Sequence, residues 1–237
     1  MKNFIDRENE LQFLEDQYSA STASLIVLYG RRRVGKTALM THFIRNKRAL
    51  YFLVTEESEH QNRNAFKDMV ADFTGNALLK AAAVDHWDLI FQSLVDSVTD
   101  ERLIILIDEF QYLGKSNPAF PSIFQKIWDT ILKDRNVMVI LCGSLISMME
   151  SQTLSYSSPL YGRRTGQIKL KQIPFSYYNK FFPDKGLREL IEYYAVTGGV
   201  PKYIELFHSE NDIYQAISKN VLQKSSFLYD EPNFLLQ

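Results

Sequence analysis

The twelve residues Tyr29-Gly30-Arg31-Arg32-Arg33-Val34-Gly35-Lys36-Thr37-Ala38-Leu39-Met40 leave this chain few folds to choose from. The apolar run Leu25 to Leu28 enters them as a buried strand, and a helical stretch, Thr37 to Arg45, leaves them. Strand, glycine-bounded loop and helix in that order are the context of a phosphate-binding loop. Gly30 and Gly35 permit backbone angles closed to other residues and let the chain come close to an anion. From Gly30 through Arg31, Arg32, Arg33, Val34, Gly35, Lys36 and Thr37 to Ala38, successive N–H groups then turn into one concavity, where the helix start adds unpaired donors and a positive dipole end. Lys36 meets the β and γ oxygens of a nucleoside triphosphate, and the Thr37 hydroxyl ligates Mg²⁺. The competing reading is a glycine turn followed by a helix whose basic residues are solvated.

The rest of the chain supplies the sheet such a loop needs. Asp6 offers a cap for a helix over about 7–18, with Leu11, Leu14 and Tyr18 at helical spacing. Further strands are expected at Ala49 to Val54, at Leu103 to Ile107 leading into Asp108-Glu109, at Val137 to Ser144, and at Gln167 to Ile173. Two amphipathic helical stretches fill 58–98, broken near Thr74-Gly75-Asn76, and a helical face runs from Phe120 to Leu132 with Pro121 near its start. Strands alternating with helices indicate a parallel sheet covered on both faces. Beyond Pro174 only helices are expected, roughly 176–182, 187–195, 200–207 and 212–222, so the chain divides into a core, 1–174, and a helical unit, 175–237.

Bulk properties narrow the partners. Hydrophobic content of 46% and a single cysteine, Cys142, in an apolar run suit a globular protein in a reducing cytosol with a buried free thiol. No apolar stretch reaches the roughly 18 to 20 residues of a membrane span, and the N-terminus lacks a signal peptide's apolar block. A cytoplasmic location follows, with no membrane partner. Net charge is -1, so total charge announces no nucleic acid. His42, His60, His86 and His208 have no metal-ligand spacing.

In open α/β sheets the ligand lies beyond the carboxyl ends of the strands, which brings the loop, Asp108-Glu109 and Ser144 together. An aspartate closing a buried aliphatic run needs a cation, and Mg²⁺ carried by ATP supplies one, so Asp108 is the metal-side carboxylate. Glu109, one residue on, is placed as general base on the attacking water. A cap on the following turn is the alternative for both acids. Ser144 has two readings of equal weight: a hydrogen bond to the γ-phosphate or the lytic water, or one to local backbone. Arg163 and Arg164 either place a guanidinium on the leaving phosphates or lie exposed in a glycine turn.

Phe4 to Leu11, the phosphate loop, Leu106 to Leu113, Leu141-Cys142-Gly143-Ser144, Leu160 to Arg164 and Thr197 to Tyr203 form an ordered series that resembles the archaeal-type ATPase family, on the STAND and AAA+ side of the P-loop NTPases. The resemblance spans essentially the whole chain. It implies an α/β P-loop NTPase fold with a five-stranded parallel sheet of order 5-1-4-3-2 and a small C-terminal helical lid. It further implies ATP and Mg²⁺ as cofactors and a nucleotide-state switch driven by ATP hydrolysis. Arg7 and Glu8 would line the adenine side, and Pro201, in Gly199-Val200-Pro201, would couple nucleotide state to the lid. The alternative within this resemblance is a non-hydrolysing module in which bound nucleotide gates a protein or DNA partner. Family members of this type usually continue into winged-helix and nuclease-like segments. The apolar tail at 230–237 looks cut off inside a further unit, so such a partner would act through a missing C-terminal region. A homo-oligomer, with an arginine donated in cis or in trans, is left open.

Overall fold

The computed structural model describes residues 5–98, 101–210, 212–231 and 233. Phe4 at the start of the motif series, and Pro232 and 234–237 in the apolar tail, lie outside the described residues. The chain groups into two compact units: 8–31 with 36–170, and the described residues of 1–7, 32–35 and 171–237.

The first unit is built on five strands, β1 Ser24–Tyr29, β2 Ala49–Leu53, β3 Leu103–Asp108, β4 Val137–Gly143 and β5 Gly166–Lys169. All pairings are parallel and the order is β2-β3-β4-β1-β5, the expected 5-1-4-3-2 read from the opposite edge. Every residue of β1, β3 and β4 is buried, which is why these strands read as unbroken apolar runs. Three strands in matched register bring the functional segments level: Tyr29 pairs with Gly143, and Ile107 with Leu141. The chain leaves each of these strands at the same, carboxyl edge of the sheet.

Among the described residues this unit has eight α-helices: α1 Glu8–Tyr18, α2 Lys36–Phe43, α3 Glu59–Thr74, α4 Ala77–Ala81, α5 Trp87–Asp96, α6 Gln111–Ser116, α7 Phe120–Ile127 and α8 Ile146–Met149. One sheet face, including Val27, Phe52, Ile105 and Val139, packs on Phe66, Trp87, Phe91, Phe120 and Phe124 from α3, α5 and α7. Alternate strand residues such as Ile26, Ile104 and Ile140 are equally buried and point to the other face by the pleat. The stretch 58–98 holds three helices rather than two. Gly75 ends α3 in the left-handed region at φ 68, and the Asn76 side chain accepts from Leu79 N at 3.0 Å to start the short α4.

Two other expectations are corrected. The helix begun at Phe120 stops as α-helix at Ile127, and Trp128–Leu132 continues as a π-helical turn. Strand β5 ends at Lys169 instead of Ile173: Leu170 N still reaches Tyr29 O at 2.8 Å, but Ile173 N goes to Gly199 O at 2.8 Å within the other unit. A strand pattern in sequence cannot register that change of backbone partner.

The second unit contains α9 Tyr178–Phe181, entered by a 3₁₀ turn at Phe175–Tyr177, then α10 Leu187–Thr197, α11 Pro201–Phe207 and α12 Ile213–Ile217, which runs into a π-helical turn at Ser218–Leu222. Its core gathers Ile173, Tyr178, Phe182, Tyr193, Ile204, Phe207 and Ala216. Pro201 occupies the first turn of α11, where a missing N–H costs nothing. No helix among the described residues is long and apolar enough to cross a membrane.

Candidate functional site

At the carboxyl edge of the sheet the loop leaves β1 through Gly30. A Cβ there would collide with the Leu170 carbonyl, so only glycine lets the chain pass. Lys36, the first residue of α2, is 7% exposed, and its ammonium donates to the carbonyls of Gly30 at 2.9 Å and Arg31 at 3.0 Å. Thr37 follows in an exposed position and Ala38 is half-buried. Arg31 and Arg32 are exposed.

Asp108 ends β3 and is 4% exposed. One carboxylate oxygen accepts from Glu109 N at 2.9 Å and the other from the Tyr51 hydroxyl at 2.6 Å. Burial, the hydrogen bond to Asp108 and the charge of that carboxylate push the Tyr51 phenol well up from its ordinary value. The buried Cys142 thiol is raised as well, first by burial and then by Asp108, with Lys36 opposing. The thiol therefore feels both the lysine and the acids, and it is the buried free cysteine the sequence implies.

Glu109 adopts φ 55, a left-handed conformation that a non-glycine residue takes only under local constraint. Its Oε2 accepts from Ser144 Oγ at 2.7 Å and from Gln111 Nε2. The Ser144 hydroxyl thus goes to a carboxylate, neither to local backbone nor to solvent, since the residue is 6% exposed. Arg163 is tied elsewhere: its guanidinium makes a two-pronged contact with Asp129, at 3.0 Å from Nε and 2.8 Å from Nη2, and donates to Pro159 O at 2.7 Å. That hydrogen bond lowers the Asp129 pKa. Arg164 lies over the Tyr161 ring at 5.1 Å and donates to its carbonyl. Both arginines precede β5, whose first residue Gly166 pairs with Ile26 while Thr165 N donates to Leu25 O, so their backbone lies toward the amino edge of the sheet, and side-chain geometry gives each a local partner.

The tip of the loop, 32–35, groups with the second unit. Arg33 and Gly35 take positive φ, 69 and 97, the left-handed backbone found in tight anion-binding turns. Val34 is buried, and its carbonyl accepts from Arg7 Nη2 at 3.2 Å, while the same nitrogen donates to Lys171 O at 2.7 Å. Arg7 is therefore a buried brace of the loop tip. A Cβ built on Gly35 would lie 3.9 Å from Pro201 Cγ. Arg33 forms an ion pair with Glu231 and stacks over Phe227 at 4.4 Å, and Glu231 also accepts from the Tyr203 hydroxyl at 2.7 Å.

The residues fit a triphosphate with a magnesium ion. The start of the loop offers Gly30 and the buried Lys36 ammonium; Asp108 and Thr37 are hard oxygen donors of the kind that take Mg²⁺ through one or two protein contacts plus water and phosphate. Among the described residues no group of three or more histidine, cysteine, aspartate or glutamate side chains could hold a metal alone. Sequence reasoning missed Tyr51, Gln111 and Glu231. Tyr51 and Glu231 touch their partners across long separations in the chain, and Gln111 is only two residues from Glu109 but had no chemistry of its own to mark it.

Residues 4–207 match the family described as an ATPase domain predominantly from Archaea. An uncharacterized protein of Methanocaldococcus jannaschii is 37% identical over 237 residues, which is 99% of this chain and 50% of that protein. The chain thus spans about half the length of that relative. Among solved structures, the Walker-type ATPase of Pyrococcus abyssi superposes with TM-score 0.68 at 20% identity, covering 92% of this chain and 71% of that one. The ORC2 protein of Aeropyrum pernix in its ADP form gives TM-score 0.63 at 15% identity, with the same coverage of 92% and 71%. These two likenesses speak for the fold.

Proposed function

The chain belongs to the family of ATPase domains predominantly from Archaea, and from that premise we propose that it binds Mg-ATP and hydrolyses it. The observation that carries the reading is the grouping of Asp108, Glu109 and Ser144 on the edge where β1 feeds the lysine-bearing loop. Bound Mg²⁺ would neutralise charge on the β and γ phosphates, with Thr37 and Asp108 on its protein side. Lys36 would orient the β and γ oxygens, and the amides of 31–35 with Ala38 would cradle the chain of phosphates. Glu109 takes the proton of a water whose oxygen bonds to the γ-phosphorus as the bridging bond to the β-phosphate breaks and ADP leaves with that electron pair. Ser144 holds the base. Arg164, or an arginine from a second copy, answers the charge on the leaving phosphates; Arg163 would first have to leave Asp129.

Pro201, close to Gly35 at the loop tip, supports a role for 175–237 as a lid that responds to nucleotide. Arg7, bracing Val34, belongs to the same response. A cytoplasmic setting suits the one buried thiol. A second reading, a non-hydrolysing nucleotide-gated module for a protein or DNA partner, is favoured by the engagement of Arg163 with Asp129.

Glu109→Gln should leave ATP affinity nearly unchanged and lower turnover by about a hundredfold or more. Phosphate release by the chain, alone and with duplex DNA, measures it. Turnover that survives the substitution removes Glu109 as base, and no release by the unsubstituted chain under either condition selects the second reading.

A further inference from the structure

A buried amide next to the proposed base has no role in the reading above. Gln111 is fully buried at the first turn of α6, and its Nε2 donates to Glu109 Oε2, the same oxygen that receives the Ser144 hydroxyl. Its Oε1 is buried and has no hydrogen-bond partner among the described residues. A packed apolar side chain would fill that space without leaving an orphan acceptor, so the amide sits there at a cost in stability. The fold makes room for it: a Cβ on Gly143, at the end of β4, would collide with Gln111 Oε1.

The support extends one layer further. Gln152 Nε2 donates to the Gln111 carbonyl at 3.2 Å, and a Cβ on Gly114 would run into the Gln152 amide. Two glycines thus clear space for two amides, the buried Gln111 and the half-buried Gln152, the latter holding the backbone of the residue whose side chain grips Glu109. The choice of amide orientation follows from charge, since turning Gln111 over would set its oxygen against the carboxylate.

We infer that Gln111 is a positioning residue for Glu109. Two donors on Oε2 fix the carboxylate in its left-handed backbone setting and leave Oε1 as the oxygen presented to water, a defined direction for proton removal. Neither donor alone would suffice, because one hydrogen bond leaves the carboxylate free to swing about it. The inference rests on the hydrolysis reading.

Gln111→Met keeps the volume and removes the donor; Gln111→Leu is the second variant should the first not fold, with thermal unfolding as the check. The expected result is turnover lower by roughly tenfold to a hundredfold, Mg-ATP affinity within about twofold, and a melting temperature unchanged or higher because an orphan acceptor is gone. In a Glu109→Gln background the same change should have no further effect on turnover. Equal turnover in the folded variant and the unsubstituted chain overturns the inference alone. So does a rise in turnover, which would make Gln111 a restraint, or a parallel loss of affinity, which would make it structural. If the unsubstituted chain releases no phosphate, the inference falls together with the hydrolysis reading.

Discussion

Gly199 sits at φ 72, where an ideal Cβ would collide with the Ile173 carbonyl, the same residue whose N–H donates to the Gly199 carbonyl at 2.8 Å. The Tyr178 hydroxyl accepts from Gly199 N at 3.2 Å and also pairs with the Thr197 hydroxyl, and burial pushes its pKa up to about 12. Two hydrogen bonds thus hold one glycine just ahead of α11. Gly199→Ala combines left-handed strain with a backbone collision and should destabilise the chain by about 2–4 kcal/mol, read as a shifted urea midpoint. The helices expected over roughly 187–195 and 200–207 leave a gap at this position, but the chain from Ile173 that closes against it is hidden inside an apparent strand. The acids tell the opposite story. Asp108 and Glu109 stood out because charge at the end of six buried residues has few uses, whereas Gln111 and Tyr51 are ordinary residues whose roles exist only through where their partners lie.

Among elements, the fully buried strands were the most legible, since burial on both faces writes an unbroken apolar run. Short helices were not. Helices α6 and α8, six and four residues long, are too brief to show a period. The π-helical turn at Trp128–Leu132 keeps a helical apolar pattern while changing the hydrogen-bond ladder, so it read as plain continuation. That turn carries Asp129, which ties it to Arg163 in the glycine turn. Because the Arg163 hydrogen bond lowers the folded pKa of Asp129, the pair's stabilisation is present at neutral pH and lost as pH falls through that lowered value. Both partners are partly exposed, so Arg163→Ala should destabilise by only about 0.5–1 kcal/mol at pH 7. The difference from the unsubstituted chain should shrink below the ordinary carboxylate value of about 3.9. Denaturant melts of both proteins across that range check it, and a difference constant down to the acid limit would assign the loss to packing instead.

For the molecule as a whole, the strand order was legible only through the resemblance, because apolar runs place strands in a sheet without saying which lie side by side. Once β4 stands between β1 and β3, the loop, the acids and the serine share one edge. The near-neutral net charge of -1 then leaves the local cluster, rather than a global field, to attract a triphosphate. The central claim is that this cluster grips one nucleotide through the Lys36 ammonium and the glycine-bounded backbone. Isothermal titration of the chain with Mg-ATP tests it most directly, with Lys36→Ala as the companion. Saturable uptake of one ATP per chain, reduced by about a hundredfold or more in the variant, is the predicted result; no uptake by the unsubstituted chain, or equal uptake by both, would contradict it.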